Sequence, residues 1–476
     1  MTTAIAAPPA APVIGYTIVD SPLGRLLVAA TARGICTVRL GESDEALETD
    51  LAVEHPGAEL RRDGDPLALW VNALLRHLAG EQPRLDLPLD VRATAFQGRV
   101  WTALRAIPYG ATRSYGEIAH AIGRPGAERA VARACATNPV ALVIPCHRVV
   151  RHDGAAGGYR WGVRRKRLLL EQERAAAQRA ERAVLRAFVD DAGVPPADAV
   201  PGAELAPGDV VAGRYEVLGA LGAGGMGVVY AARDRELDEV IALKVLRAPP
   251  ASGREDPAAL DRFRRELRIT RRLSHPNVVR THDIGAAGDR GGRFITMEYV
   301  DGWSLAQLLE HRGTLPVPVV FVLGKQLCRA LAAVHSHGVI HRDIKPQNVL
   351  IGREGDVKLT DFGIAQLEHP AAREHAGRGA DGTLPYMAPE QILGEALDAR
   401  TDLYAAAAVL YECLTGRPPY LGRDWDPGLS GHLAVLLRGA LSADPTARPA
   451  DAAALHDALT AVEWSTAGPM LEGVTA

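Results

Sequence analysis

From Gly15 to Gly41 the chain reads GYTIVDSPLGRLLVAATARGICTVRLG, with β-forming residues broken at Ser21, Pro22, Gly24 and Gly34, where turns are needed. This pattern predicts strands joined as hairpins. A small α+β subdomain continues to about Arg92. At Phe96 the period changes, and FQGRVWTALRAI, SYGEIAHAIG and AERAVARACATN each carry apolar residues at helical spacing. Arg124, Pro125 and Gly126 form a tight turn between the last two, the layout of a helix-turn-helix. From Arg164 to about Val189 the Arg/Glu/Ala-rich text favours a helix, and DDAGVPPADAVPGAELAPGD after it reads as a Pro-rich linker. Beyond it, RYEVLGALGAGGMGVVYAARD and VIALKVL predict strands ahead of a long, mainly helical half. That order suits a small sheet lobe joined to a larger helical lobe. The expected division is a disordered N-terminus over 1–12, an α+β subdomain over 13–92 and a helical domain over 93–175. A helical extension and linker over 176–208, a bilobal domain over 209–465 and a tail over 466–476 follow.

A length of 476 residues supports several cores, roughly two to four domains. The 54 Lys+Arg against 57 Asp+Glu leave a formal charge of -3, so any nucleic-acid contact has to come from a local patch. The five cysteines (Cys36, Cys135, Cys146, Cys328, Cys413) are odd in number and lack C-x-x-C spacing, which argues against a disulfide framework or structural zinc and for a reducing cytoplasm. MTTAIAAPPAAP lacks a basic region followed by an apolar core, and the apolar run Val317 to Val334 is interrupted by Lys325 and Arg329. Neither a signal peptide nor a membrane span is expected.

Two stretches carry chemistry. The first is IPCHRVV, Ile144 to Val150, expected as a buried, apolar strand end. A free cysteine is only a few per cent thiolate at neutral pH, so a reactive one needs a base or positive charge beside it. His147 adjoins Cys146, and Glu173 on the following helix is placed to orient it. On these residues alone, a small core thiol remains the competing reading. The wider text SYGEIAHAIGRPGAERAVARACATN and VIPCHRVVRHDGAAGGYRWGVRRKRLLL strongly resembles the O6-methylguanine-DNA methyltransferases, over about Ile14 to Glu173. The resemblance implies that the Cys146 thiolate takes the alkyl group of a damaged guanine once, leaving a stable thioether. It makes His147 the base acting through a water, Glu173 its polarising partner, and Asn138 the residue that stabilises the cysteine's turn.

A thiol does not reach a base inside stacked DNA, so the base must be flipped out. By the same resemblance, Arg129 is the finger filling the gap, Tyr115 rotates the target phosphate, Tyr159 is a pocket wall, and the helix-turn-helix enters the minor groove of double-stranded DNA. Arg133, Arg151, Arg160, Arg164 and Arg165 are candidate phosphate contacts, or else a solvated face. Trp161 is placed beside the pocket, where its bulk is expected to favour methyl over larger alkyl groups. The cysteine cluster of the family's zinc-bearing sensor is absent from this text.

The second stretch is HRDIKPQN, His341 to Asn348. Gly222, Gly224 and Gly227 in GAGGMGVV by themselves mark only a turn, but they lie between predicted strands and precede IALK, so backbone amides can cover phosphates while Lys244 reaches them. Glu266 is placed to pair with Lys244, and DFG (Asp361 to Gly363) and APE (Ala388 to Glu390) follow in order. Residues from about Arg214 to Val462 closely resemble bacterial eukaryotic-like (Hanks-type) serine/threonine protein kinases. The resemblance implies ATP and magnesium as cofactors and protein Ser/Thr as acceptor, with Asp343 accepting the hydroxyl proton, Lys345 supporting the transferring phosphate, and Asn348 and Asp361 holding the metal. It places Val229, Ala242, Met297, Glu298 and Val300 around adenine, MEYV forming the hinge and Met297 the gatekeeper.

This chain departs from that pattern in three ways. Between Asp361 and Gly382 there is no Ser, Thr or Tyr, so Arg342 has no phosphate partner there, and Glu368, Glu374 or Asp381 is expected to substitute for one. Alanines replace the usual small, Gly-containing turn in DLYAAAAVLYECLTG, and the region after RPPY looks shortened, although Glu390 and Arg448 remain as a lobe-stabilising pair. The expected fold is multidomain α+β, an alkyltransferase followed by a bilobal kinase, in a cytoplasmic protein with both activities. Three other readings stay open: an alkylation sensor driving the kinase, a kinase-like scaffold with little transfer activity, and two independent domains on one chain.

Overall fold

The computed structural model describes residues 12–195, 200, 202–224, 227–246, 273–287, 292–361, 384–419, 425–426 and 428–466. The expectations for 1–11, 467–476, Glu266, Glu368, Glu374 and Asp381 lie outside the described residues. The chain divides into two compact units, Met1–Ala180 and Glu181–Ala476.

In the first unit, β1 (Val13–Ser21), β2 (Gly24–Thr31) and β3 (Gly34–Gly41) form an antiparallel meander. Helix α1 (Asp44–Glu54) lies between β3 and β4 (Glu59–Arg62), and β4 pairs parallel with β1 to give the order β3-β2-β1-β4. After α2 (Ala68–Ala79), the helical part holds α3 (Ala95–Arg105), α4 (Tyr115–Ala121) and α5 (Glu128–Ala136). Two caps fix where these helices begin. Thr94 with Gln97, and Ser114 with Glu117, each close a capping box that satisfies amides left without helical partners. The core joins both parts, with Leu26, Val28, Ile35, Leu74, Val100, Leu104, Val131 and Val149 buried together.

The sheet also braces the reactive turn. Val38 on β3 donates to Pro139 O at 3.0 Å and accepts from Ala141 N at 3.0 Å. The two-residue strands β5 (Arg113–Ser114) and β6 (Val149–Val150) pair in parallel just beyond it. Cys146 therefore stands on a 3-10 turn, Cys146–Arg148, ahead of a very short strand, and not at the end of a long apolar one. The apolar run Val140–Ile144 is buried as a turn, with Leu142 in the left-handed region at φ 69°.

In the second unit, β7 (Val210–Val211), β8 (Tyr215–Gly224), β9 (Gly227–Asp234), β10 (Glu239–Leu246), β11 (Thr281–Ala287) and β12 (Gly292–Glu298) form an antiparallel sheet in the order β11-β12-β10-β9-β8-β7. A small sheet of β13 (Gly302–Ser304), β14 (Val349–Gly352) and β15 (Val357–Leu359) sits in the helical lobe with α7 (Leu305–Arg312), α8 (Val317–Ser336), α9 (Pro389–Leu393), α10 (Ala399–Thr415), α11 (Gly431–Ala440) and α12 (Ala452–Thr466). Helix α8 is long and apolar enough to cross a membrane by length and composition, yet most of it is buried inside the lobe. Its interrupting charges are satisfied there: Lys325 pairs with Glu181 at 3.0 Å and Glu463 at 2.6 Å, and Arg329 pairs with Glu181. Alanines 405 to 408 of α10 are all buried, so the small side chains serve close packing.

The segment 176–208 differs from a free connector. Helix α6 runs without a break over Val163–Ala192. Its residues from Glu181 belong to the second unit, where Leu185, Val189 and Ala192 are buried in the helical lobe's core. Positions 181, 185, 189 and 192 recur at helical spacing, which gives one stripe to bury. Trp303 Nε1 donates to Gly193 O at 3.1 Å, and further on Val200 and Leu205 pack against the strand lobe, where Tyr230 Oη accepts from the amides of Glu204 and Leu205. The described residues after the helix, Val200 and 202–209, are held by turns, with Ala203 N donating to Val200 O at 3.2 Å and Asp209 N to Ala206 O at 3.0 Å.

Candidate active sites

The thiol site is built on one side chain that ties a turn. Asn138, fully buried, accepts from Val140 N through Oδ1 at 3.0 Å and donates through Nδ2 to Ile144 O at 2.8 Å and Cys146 Sγ at 3.3 Å. Leu142's left-handed backbone, costly for a branched side chain, is held by this clamp. Burial pushes the Cys146 thiol up to about 11, against the pull of the Asn138 hydrogen bond and of the Lys166 and Arg160 charges. The resting sulfur is thus a thiol at neutral pH, and it needs a base.

That base is set by its own hydrogen bond. His147, fully buried, donates from Nε2 to Glu173 Oε1 at 2.9 Å, so in the neutral ring Nδ1 carries the lone pair. Nδ1 has no hydrogen-bond partner among the described residues. Burial holds the His147 pKa down, more than Glu173 raises it. Glu173 itself is pushed up by burial, but Arg148 and then His147 outweigh this, and the carboxyl stays well below the usual carboxylate range. Arg148 supplies, through its charge, the largest single part of that compensation. It donates from Nε to Glu173 Oε2 at 2.8 Å and from a terminal nitrogen to Oε1 at 2.9 Å, a two-point grip, and its other terminal nitrogen reaches Ile107 O at 2.8 Å. Gly110 N adds a bond to Oε2 at 3.2 Å.

Arg148 is a site residue that the motif conceals, because it reads as the first of the basic positions after the cysteine. His77 is another: buried on α2, it stands with Nε2 3.7 Å from Glu173 Oε1. No sequence signal links α2 to a carboxylate about a hundred residues away. Tyr159 stands edge-on to His147 at 6.4 Å and to Trp161 at 5.1 Å, its hydroxyl buried without a partner among the described residues. Trp161 is buried behind Tyr159.

The residues expected at DNA lie on the helix pair. Tyr115 opens α4, half-buried, with its hydroxyl over Gly157, where an added Cβ would stand 3.4 Å away. Arg129 and Arg133 are exposed on α5. Among the other candidate phosphate contacts, Arg165 is taken up by Leu23 O, Gly41 O, Trp161 O and Glu42, and Arg160 by Asn138 O and Glu54. Arg165 is a structural clasp and not a spare cation.

The phosphate site lies in the second unit. Val229, Ala242, Met297 and Val300 come together with Val279, Ile295 and Leu350 in one apolar cluster, and these last three are members that sequence reading did not single out. Glu298 N donates to Arg280 O at 2.8 Å, and its carboxylate pairs with Lys358 at 2.7 Å. A Cβ at Gly222 or Gly224 would meet no atom of the described residues within 4 Å, so none of these crowds the two positions. Gly227 differs: at φ 158° it is extended, and a Cβ there would fall 2.0 Å from Val245 O, so the sheet itself requires glycine.

Below the cluster, Lys244 Nζ pairs with Asp361 Oδ1 at 2.7 Å. Asn348 Nδ2 donates to Asp343 O at 2.7 Å and to Asp343 Oδ2 at 3.0 Å, while Lys345 Nζ stands 3.0 Å from the same Oδ2. The turn that bears Asp343 hangs on Asp402, whose two oxygens accept from His341 N and Arg342 N at 2.8 Å each, with His335 Nε2 at 2.7 Å. This lets Arg342 sit at φ 67°. Its Nε is buried and has no hydrogen-bond partner among the described residues. Glu390 and Arg448 form the expected lobe pair with two contacts of 2.7 Å, and Thr401 donates to Glu390 at 2.9 Å.

Comparison with known proteins divides the chain in the same way. Residues 215–457 match the protein kinase domain model, residues 95–175 the DNA binding domain of 6-O-methylguanine DNA methyltransferase, and residues 14–91 its ribonuclease-like domain. A serine/threonine-protein kinase PknB of Mycobacterium leprae is 41% identical over 211 residues, 44% of this chain and 33% of that protein. The chain thus spans about a third of the length of such curated relatives. Among solved structures, Mycobacterium tuberculosis OGT in complex with DNA is 41% identical, covering 34% of this chain and 94% of that one with a TM-score of 0.31. The PknI kinase domain from the same organism is 31% identical, covering 54% and 98% with a TM-score of 0.44.

Proposed function

The chain belongs to the protein kinase family, whose domain takes up just over half of its length, and we propose on that premise a protein of two chemistries, ATP-dependent phosphorylation of protein Ser/Thr and one-time removal of a methyl group from O6 of guanine in DNA. The observation that carries the second activity is the chain of contacts Asn138–Cys146 and His147–Glu173–Arg148. Asn138 aims the sulfur, and His147, its Nε2 proton held by Glu173, offers Nδ1 to take the thiol proton as the S–C bond forms. The C–O bond electrons stay on the guanine. His147 becomes an imidazolium beside a carboxylate that Arg148 keeps ionised, which lowers the cost of separating charge in a dry site. Because the thioether is stable, the protein is consumed.

In the second unit Asp343 is the acceptor for the substrate hydroxyl proton, and Lys345 beside it supports charge on the transferring group. Asn348, its side-chain nitrogen engaged by Asp343, has its amide oxygen without a partner among the described residues, and so has Asp361 its Oδ2 beside Lys244, a hard-oxygen pair that fits magnesium. Bound magnesium–ATP supplies the phosphoryl group and the charge that neutralises it. Val229, Ala242, Met297 and Val300 offer the apolar walls for adenine, and no described residue crowds Gly222 or Gly224, which leaves room there for phosphates.

Two assays test the pair. Peptide mapping after incubation with an O6-methylguanine duplex is expected to show one methyl on Cys146, and phosphate transfer from ATP to a generic protein substrate is expected to need Asp343. A methyl elsewhere, or transfer that survives Asp343→Asn, contradicts the respective half.

A further inference from the structure

The β14–β15 hairpin joins the two residues proposed to hold magnesium: Asn348 directly precedes β14, and Thr360 and Asp361 directly follow β15. Its ladder begins at the site itself, where Thr360 N donates to Asn348 O at 3.0 Å. The strands have four and three residues, and β13 beside them three, so the ladder alone is weak and what packs on the hairpin decides where it lies. One hold comes from α8, where Gln326 donates from Nε2 to Gly355 O at 3.0 Å and accepts from Val357 N at 2.9 Å. The other comes from the end of α6, which lies outside the residues matched to the kinase model. The Arg182 carbonyl sits so close on the hairpin turn that a Cβ at Gly355, φ 79°, would fall 2.1 Å from its oxygen. Further along α6, Leu185 and Val189 share one apolar core with Ile351 of β14 and Val357 of β15. Glu181, the residue before Arg182, is buried and pairs with Lys325 at 3.0 Å and with Arg329. Burial pushes the Glu181 carboxyl up, but Lys325 and then Arg329 outweigh this and hold it below its ordinary value. Lys325 adjoins Gln326, so one carboxylate ties α6 to the stretch of α8 that carries the hairpin.

We propose that Glu181 is a positioning residue of the phosphate-transfer site: it fixes the end of α6 on the β14–β15 turn and thereby sets Asn348 against Asp361. This rests on the kinase reading of the second unit. Removing the carboxylate does not strand the two cations, since Lys325 keeps Glu463 at 2.6 Å and Arg329, partly exposed, keeps His456 at 3.3 Å. What is lost is the anchor beside Arg182. The hairpin retains its bonds to Gln326 and to Asn277, whose Nδ2 donates to Val357 O at 2.8 Å, so it loosens without coming apart. The coupling is reciprocal: if the α6 end steadies the Asn348–Asp361 pair, a cation bound by that pair must steady the α6 end.

The test uses the full chain with Glu181→Gln and Glu181→Asp. Hydrogen exchange is read first, on protein free of nucleotide and magnesium, over residues 349–361 and, as a control, over α10. In Glu181→Gln the hairpin amides are expected to exchange about tenfold faster, the scale of a lost charged hydrogen bond, with α10 unchanged. Phosphate transfer to a generic protein is expected to need about tenfold more free magnesium for its half-maximal rate, with the KM for that protein unchanged. Glu181→Asp should recover most of both. Unchanged hairpin exchange overturns the proposal, as does a magnesium requirement that stays put while the hairpin quickens. Faster exchange in the hairpin and α10 alike overturns it too, since that marks a merely structural role. Should Glu181→Gln melt early, the wild type decides: magnesium with a non-hydrolysable ATP analogue is expected to slow exchange over residues 182–192, and exchange there that ignores the ligand refutes the link. Wild-type protein that transfers no phosphate at all would instead remove the kinase reading, and the proposal with it.

Discussion

The two sites solve opposite problems with similar residues. In the thiol site, every charge is buried and already matched: Glu173 faces Arg148, His147 and His77, and Cys146 is 3% exposed. In the phosphate site, buried Lys244 rests on half-exposed Asp361 and half-exposed Lys345 on Asp343, pairs that on the proposed function phosphate and magnesium would re-partner. A group that reacts once needs no exchange of partners, so its electrostatics are folded in permanently. A group that turns over must keep its charges exchangeable, and its geometry is completed by ligand.

The largest effects should fall on one site each. Cys146→Ser is expected to abolish methyl uptake in a peptide-resolved mass assay while phosphate transfer proceeds, and Asp343→Asn is expected to cut phosphate transfer by about a thousandfold or more with methyl uptake intact. Loss of both activities from either substitution would dissolve the comparison. Next comes Glu173→Gln, which leaves Arg148 buried without its countercharge. It should slow methyl transfer about a hundredfold and cost the first unit about 3–5 kcal/mol in denaturant melts.

Acid sharpens the contrast further. Burial pushes His77 down to about 4 and also lowers His147, so the folded first unit binds fewer protons than the unfolded chain once pH drops below about 6.5. Stability present above that pH is lost as pH falls toward 4, by about 3 kcal/mol for His77 alone, and Glu173, held low, adds to the loss below about 4.3. Melting of the first unit followed between pH 7 and 4 measures this, and a flat profile would contradict the buried neutral imidazoles. The smallest effect is at Trp161. Trp161→Ala is expected to raise the rate with benzyl-guanine relative to methyl-guanine by about tenfold, the scale of a filled against an emptied apolar wall; equal ratios before and after would remove Trp161 from substrate choice.

What the sequence made legible was chemistry carried by neighbours in the chain. Cys146 with His147, Asp343 with Lys345 and Asn348, and Asp361 sit in short motifs, and the fold brings each set together. Glu173 was reached because it follows on the next helix. Arg148 and His77 were not, since their meaning lies in distances across the fold: an arginine in a basic run looks solvated until its guanidinium is seen against Glu173. The stretch from Glu181 to Leu205 shows a second limit. The helical text to about Val189 was legible, but only the stripe of Leu185, Val189 and Ala192 shows that its end is packed in the core of the second unit. The apolar residues expected around adenine followed the motif order, yet Leu350 packs with them from a strand beyond the turn that bears Asp343.

The most direct test of a sulfur readied within the folded core is the pH dependence of its alkylation by an O6-methylguanine duplex, set beside that by a small soluble alkylating agent. If the folded site supplies the base only to a substrate bound against Cys146, the duplex should react rapidly at pH 7, while the small reagent should react slowly until pH approaches about 11, where burial has placed the resting thiol. Equal rates for the two at pH 7 would contradict it.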